Sequence, residues 1–218
     1  AVTDVDETAI TGITYYTGDK GDEIADYSHS TKLGQRDEVK STSIFFYDDK
    51  RASALTGAEL LTAAMTKSES FQGAVTDVDE TKITGVTYYT GDKGDEIADY
   101  SHSVKLGARD EVKSTSIFFY SGNRASDLTG TEILTAAMTR SESFRGAVTD
   151  VDETAITGIT YYVGEKGDEV ADYSHSVKLG ARDEVKSTSI FFYADKRAGA
   201  LTGAELVTAA MTKSESFQ

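Results

Sequence analysis

Apolar residues in the first 73 positions come in short bursts, separated by clusters of Gly, Asp and Lys. From Ile10 to Thr17 the chain is β-branched and aromatic until Gly18-Asp19-Lys20-Gly21 stops it, the signature of a strand closed by a turn. Glu23 to Ser30 predicts a second, weaker strand ending at Leu33-Gly34, and Val2 to Val5 a further short one. Val39 to Tyr47 is the strongest strand. Its last residues, Ile44-Phe45-Phe46-Tyr47, are apolar without alternation, so that end is expected to be buried on both faces. The pattern then changes. Thr56 followed by Glu59 forms a capping box ahead of Leu60-Leu61-Thr62-Ala63-Ala64-Met65, which predicts a helix of about three turns with one apolar stripe.

The whole pattern recurs. Ala1-Val2-Thr3-Asp4-Val5-Asp6-Glu7 returns as Ala74 to Glu80 and again as Ala147 to Glu153, a spacing of 74 − 1 = 73 and 147 − 74 = 73. The capping box returns at Thr129/Glu132 and Thr202/Glu205. The expected fold is therefore α+β and strand-dominated: three tandem repeats of about 73 residues (1–73, 74–146 and 147–218). Each has three to four antiparallel strands and one short helix, and the repeats are either separate beads or parts of one closed domain. The one cluster of real change between copies is Asp48-Asp49-Lys50, Ser121-Gly122-Asn123 and Ala194-Asp195-Lys196. It reads as an exposed turn.

Charge narrows the partners. With 37 Asp and Glu against 22 Lys and Arg, the net charge is −15. That field repels phosphate backbones and anionic lipid surfaces and favours cations. Hydrophobic residues make up 39% of the chain, enough to bury a core. The absence of Cys excludes disulfides and thiolate metal sites. No apolar stretch reaches 18 residues, so no membrane insertion is expected.

Part of each copy resembles a known family. Tyr15-Tyr16-Thr17-Gly18-Asp19-Lys20-Gly21, followed by Leu33-Gly34-Gln35-Arg36-Asp37-Glu38-Val39-Lys40-Ser41-Thr42, resembles a βγ-crystallin-type Greek key over about 35 of every 73 residues. The resemblance implies an aromatic strand running into a Gly-containing hairpin, and calcium held by an acidic pair and a Ser. Arg36 or Glu38 stands where that family prefers Asn or Asp, Thr42 replaces its final Ser, and a helix follows in place of a second Greek key.

Calcium takes six to eight oxygen ligands, so short loops rich in carboxylates are its natural seats. The candidates are Asp19, Asp22, Glu23, Asp37 and Glu38; then Asp92, Asp95, Glu96, Asp110 and Glu111; then Glu165, Asp168, Glu169, Asp183 and Glu184. The bland reading of the same residues is a solvated acidic surface, partly neutralised by Lys20 and Arg36. His29, His102 and His175 are equivalent and read as surface or hydrogen-bonded strand residues. Ser28 and His29 are neighbours on one strand and point to opposite faces, so they form no triad. Tyr15, Tyr16, Tyr27 and Tyr47 are core residues on one reading and a sugar-stacking platform on the other. The sequence thus predicts a non-enzymatic, calcium-loading structural or assembly protein, extracellular or at the cell surface, that self-associates or meets matrix glycans. The alternative is a multivalent lectin-like binder with one site per repeat.

Overall fold

The computed structural model describes residues 7–218. It is strand-dominated, and the strands with assigned register are antiparallel. The strand expected at Val2–Val5 lies outside the described residues; its sequence equivalents Val75–Val78 and Val148–Val151 are irregular. The chain divides into two compact units. One runs to Glu96 and takes in Ser103–Val112; the other comprises Ile97–His102 and Lys113–Gln218.

The first unit contains β1 (Gly12–Thr17), β2 (Ile24–Lys32), β3 (Gln35–Tyr47), the two-residue β4 (Lys50–Arg51), α1 (Gly57–Thr62), β5 (Met65–Gln72) and β6 (Ile83–Thr90). Strand order is β1-β2-β3-β5-β6, so nearest strands in sequence are nearest in space, and β4 folds back on β3. β7 (Ile97–Lys105) and β8 (Ala108–Tyr120) each contribute residues to both units. The second unit continues through β9 (Asn123–Arg124), α2 (Thr131–Thr135), β10 (Met138–Arg145), β11 (Ile156–Val163), β12 (Val170–Lys178), β13 (Ala181–Tyr193), β14 (Lys196–Arg197), α3 (Gly203–Thr208) and β15 (Met211–Phe217). Its order is β8-β10-β11-β12-β13, with β15 also paired to β13.

The non-alternating end of β3 is buried on both faces, as its sequence requires. Ile44 and Phe46 join Phe71, Val75, Ile83, Val86 and Val104 in one cluster. Phe45 and Tyr47 face the other way, onto Ile24, Ala52, Leu55, Leu60 and Ala63. A strand at the centre of a sheet has two sides to cover. Here the helical connection covers one, and the irregular stretch after β5 covers the other.

The helix is shorter than its apolar pattern predicts. The capping box forms: the Thr56 N–H donates to Glu59 Oε2 at 3.0 Å. Bonds from Lys50 and then from Thr56 lower the Glu59 carboxyl to about 2, so the box stays charged well into acid. But Ala63 leaves the helix in an extended conformation, and the Ala64 carbonyl accepts the Asp48 N–H at 3.0 Å. The residues expected to extend the helix instead brace the hairpin turn and begin β5, a strand the hydrophobic pattern does not announce.

The variable cluster is a tight hairpin turn between β3 and β4. Asp48 and Asp49 have φ of 46° and 63°, Ser121 and Gly122 50° and 90°, and Ala194 and Asp195 46° and 64°. Two consecutive positive φ values match the right-handed twist of the flanking strands, but alanine there carries a Cβ clash of about 1–2 kcal/mol. Ala194→Gly is therefore expected to stabilise the protein by about 1 kcal/mol. A urea midpoint that falls would show that the turn is not the strained element.

Candidate functional site

The two acidic groups predicted in each copy do not meet. Asp19, Asp22 and Glu23 occupy the β1–β2 turn, where the Asp22 N–H donates to the Asp19 carbonyl at 2.9 Å and Glu23 accepts the Gly21 N–H at 2.8 Å. Asp37 and Glu38 lie past the opposite end of β2, at the start of β3, and Glu38 pairs with Lys32 at 3.2 Å. Nine residues of strand separate the groups, about 30 Å at strand rise. Glu165 and Asp168 occupy the β11–β12 turn, and Asp183 and Glu184 the far side of β12. Among the described residues, no three His, Asp or Glu side chains converge as a metal group. Glu165 and Asp168 do line a cavity of about 270 Å³ with Gly203, Ala204, Leu206 and Val207 of α3.

Several of these carboxylates have a different task. Glu96 accepts the Met65 N–H at 2.9 Å and Glu169 the Met138 N–H at 2.9 Å. Each thus ties the start of one copy to the last strand of the copy before. Lys93 and Lys166, in the same turns, donate to the carbonyls of Leu60 and Ile133. Glu111 and Glu184 pair with Lys105 and Lys178. Asp92, Asp95 and Asp110 share the positions of Asp19, Asp22 and Asp37 in the second copy.

The strongest ties come from residues that charge patterning alone does not single out. Glu69 sits on the buried face of β5 opposite Ile44 and Val86. Its two carboxylate oxygens accept from Arg109 at 2.8 and 2.9 Å, and the same guanidinium reaches Glu80 at 2.8 and 3.1 Å. Arg182 clamps Glu142 and Glu153 in the same way, with shortest distances of 2.8 and 2.7 Å. Burial by itself pushes the Glu69 carboxyl up, and the bonds from Arg109 and Lys67 more than reverse this, holding it below its ordinary value. Lys67 also lies 4.5 Å over the Phe46 ring, a cation–π contact that helps hold it beside Glu69.

A second set of ties holds the irregular stretch after β5. Thr42 Oγ1 donates to the Gly73 carbonyl at 2.8 Å and accepts the Val75 N–H at 3.2 Å. His29 Nε2 lies 3.1 Å from the Val75 carbonyl. Arg51 pairs with the buried Asp26 at 2.6 Å and reaches the Thr76 carbonyl and Asp77 at 2.9 and 3.1 Å. In the second unit, Thr115, His102 and Arg124 hold Gly146, Val148, Thr149 and Asp150 with matching distances.

The tyrosines are split between roles. Tyr15 and Tyr27 stack on each other at 4.5 Å beside His29. Tyr47 is buried, its hydroxyl donates to the Ala25 carbonyl at 3.0 Å, and burial above all pushes its pKa up to about 12. Tyr16 is exposed. Compared with protein-family models, curated protein sequences and solved structures, the chain matches none of them significantly.

Proposed function

We propose that this chain is a non-catalytic structural component built of three tandem repeats, in which the chemically potent side chains join one repeat to the next. One observation carries this reading: Arg109 and Arg182 each clamp two carboxylates, one in the same copy and one in the last strand of the copy before. His29, His102 and the Asp26/Arg51 pair support it, because they bind backbone of the following copy. A guanidinium holding two carboxylates in fork geometry fixes position and orientation together. Calcium enters as a ligand of the acidic turns. Glu165 and Asp168 would supply the charged oxygens beside α3, and backbone and water the remainder.

On this reading, the triple variant His29→Gln/His102→Gln/His175→Gln loses melting temperature and no binding or turnover activity. Retention of the wild type on a glycan array, abolished in that variant, would replace the structural reading with the lectin-like one. Titration calorimetry with calcium is expected to show heat, and a melting temperature that rises with free calcium. Neither heat nor shift would remove calcium from the function.

A further inference from the structure

The first and last strands, β1 and β15, are unfinished in complementary ways. At β15, Phe217 is 49% exposed, whereas its equivalents Phe71 and Phe144 are fully buried. Glu215, 44% exposed, pairs with Lys213 where Glu69 and Glu142 have an arginine clamp. Arg197 holds Asp172, but its side chain is 46% exposed, against 14% and 12% for Arg51 and Arg124. His175 turns to Thr188 Oγ1 at 2.9 Å, although its equivalents reach the carbonyls of Val75 and Val148. Between these residues lies a groove of about 240 Å³ lined by Tyr173, Thr188, Ile190 and Arg197. Their equivalents Tyr27, Thr42, Ile44 and Arg51 are the residues against which Val75 and its neighbours sit.

At β1 the deficit is the mirror image. Arg36 holds Glu7 but has no second carboxylate among the described residues. Lys20 has no partner among the described residues, whereas Lys93 and Lys166 donate to the carbonyls of Leu60 and Ile133. Tyr16 is 64% exposed, whereas the hydroxyls of Tyr89 and Tyr162 meet Ser68 and Ser141 at 3.1 and 3.2 Å. Arg36, Lys20 and Tyr16, at the β1 edge, thus lack the contacts that their equivalents make with the counterparts of Glu215, Leu206 and Ser214 at the β15 edge.

Resting on the structural reading above, we propose that β15 of one molecule adds to β1 of a second copy of this chain, in the register of β5 on β6. That register pairs Lys67 with Tyr88, Ser68 with Thr87, Glu69 with Val86 and Ser70 with Gly85. Carried to the chain's edges by the 73-residue repeat, it sets Lys213 opposite Tyr15, Ser214 opposite Thr14, Glu215 opposite Ile13 and Ser216 opposite Gly12 of the second copy. Arg36 of that copy then clamps Glu215, Lys20 reaches the Leu206 carbonyl, and Glu23 accepts the Met211 N–H. Strand addition gives affinity through the backbone and specificity through alternate side chains. Because the two surfaces differ, the contact leaves one of each free and propagates head to tail, into rings or open chains of molecules.

Sedimentation velocity over a concentration series tests this. The wild type is expected to form species at integral multiples of the monomer mass. Glu215→Arg alone and Arg36→Glu alone each set like charges face to face and are expected to weaken association about 100-fold or more. Both residues are exposed, so folding should survive, which circular dichroism checks. An equimolar mixture of the two variants restores opposite charges at both kinds of junction and should assemble again. Independently, Thr14→Cys/Ser214→Cys in this Cys-free chain should give a covalent ladder on oxidation. A wild type that stays monomeric, single variants that assemble unchanged, or a mixture that does not recover would each overturn the contact. A monomeric wild type would leave the structural function standing; that falls to glycan retention instead.

Discussion

Phe71→Ala and Phe144→Ala are each expected to destabilise the protein by about 3–5 kcal/mol, whereas Phe217→Ala in dilute solution is expected to change stability by less than about 0.5 kcal/mol. The three residues are equivalent in sequence, so propensity and neighbouring chain do not separate them. Their surroundings do. Phe71 packs with Ile44, Ile83 and Val86, and Phe144 with Ile117, Ile156 and Ile159. In each case a strand on either side completes the cluster, and truncation leaves a cavity that rigid neighbours cannot close. Phe217 has β13 on one side only. Urea midpoints of the three variants provide the measurement. Equal losses at all three positions would mean that β15 is covered in the isolated chain.

Arg109→Leu is expected to be about as damaging, at about 3–5 kcal/mol, because it strands a buried carboxylate. Glu69 is only 2% exposed and would keep Lys67 alone. Arg36→Leu, at the equivalent position, removes a bond to exposed Glu7 and should cost under about 1 kcal/mol. Acid separates the two states of Glu69. In the wild type its folded pKa lies below the ordinary 4.5, so its stabilisation is complete above 4.5 and is lost as pH falls through the folded value. Without Arg109, burial dominates and the folded pKa rises, so the penalty is greatest at neutral pH and shrinks on acidification. The gap between wild type and Arg109→Leu should therefore narrow between pH 7 and about pH 4. A gap independent of pH would place the loss in packing, not charge.

These two residues also show where the sequence is legible and where it is not. Turns and central strands could be read, because Gly18-Asp19-Lys20-Gly21 and Ile44-Phe45-Phe46-Tyr47 carry their geometry locally. The capping box of α1 could be read for the same reason. β5 could not: Met65-Thr66-Lys67-Ser68-Glu69-Ser70-Phe71-Gln72 has charged residues at the alternate positions that face the core. A buried Glu is recognisable only once its partner is known, and Arg109 is 40 residues away. The helix is shorter than the sequence predicts because Ala64 and Met65 fit an apolar stripe with Leu60 and Leu61, while a turn and a strand claim them. Counting carboxylates identified acidic loops but not that β2 holds them about 30 Å apart.

The span of the ties has a consequence for biosynthesis. The longest of them described above, His29 to Val75 and His102 to Val148, cross 46 residues, and each strand pairs with one close to it in sequence. Nearly all the loops to be closed are short, so a nascent chain can order itself strand by strand as it leaves the ribosome. The first two copies nevertheless wait for their successors. Until Arg109 emerges, the carboxylate of Glu69 lacks its main counterion, and until Val75 emerges His29 lacks its carbonyl. The newest copy on a growing polypeptide is thus always the least settled, and translation itself completes the one before.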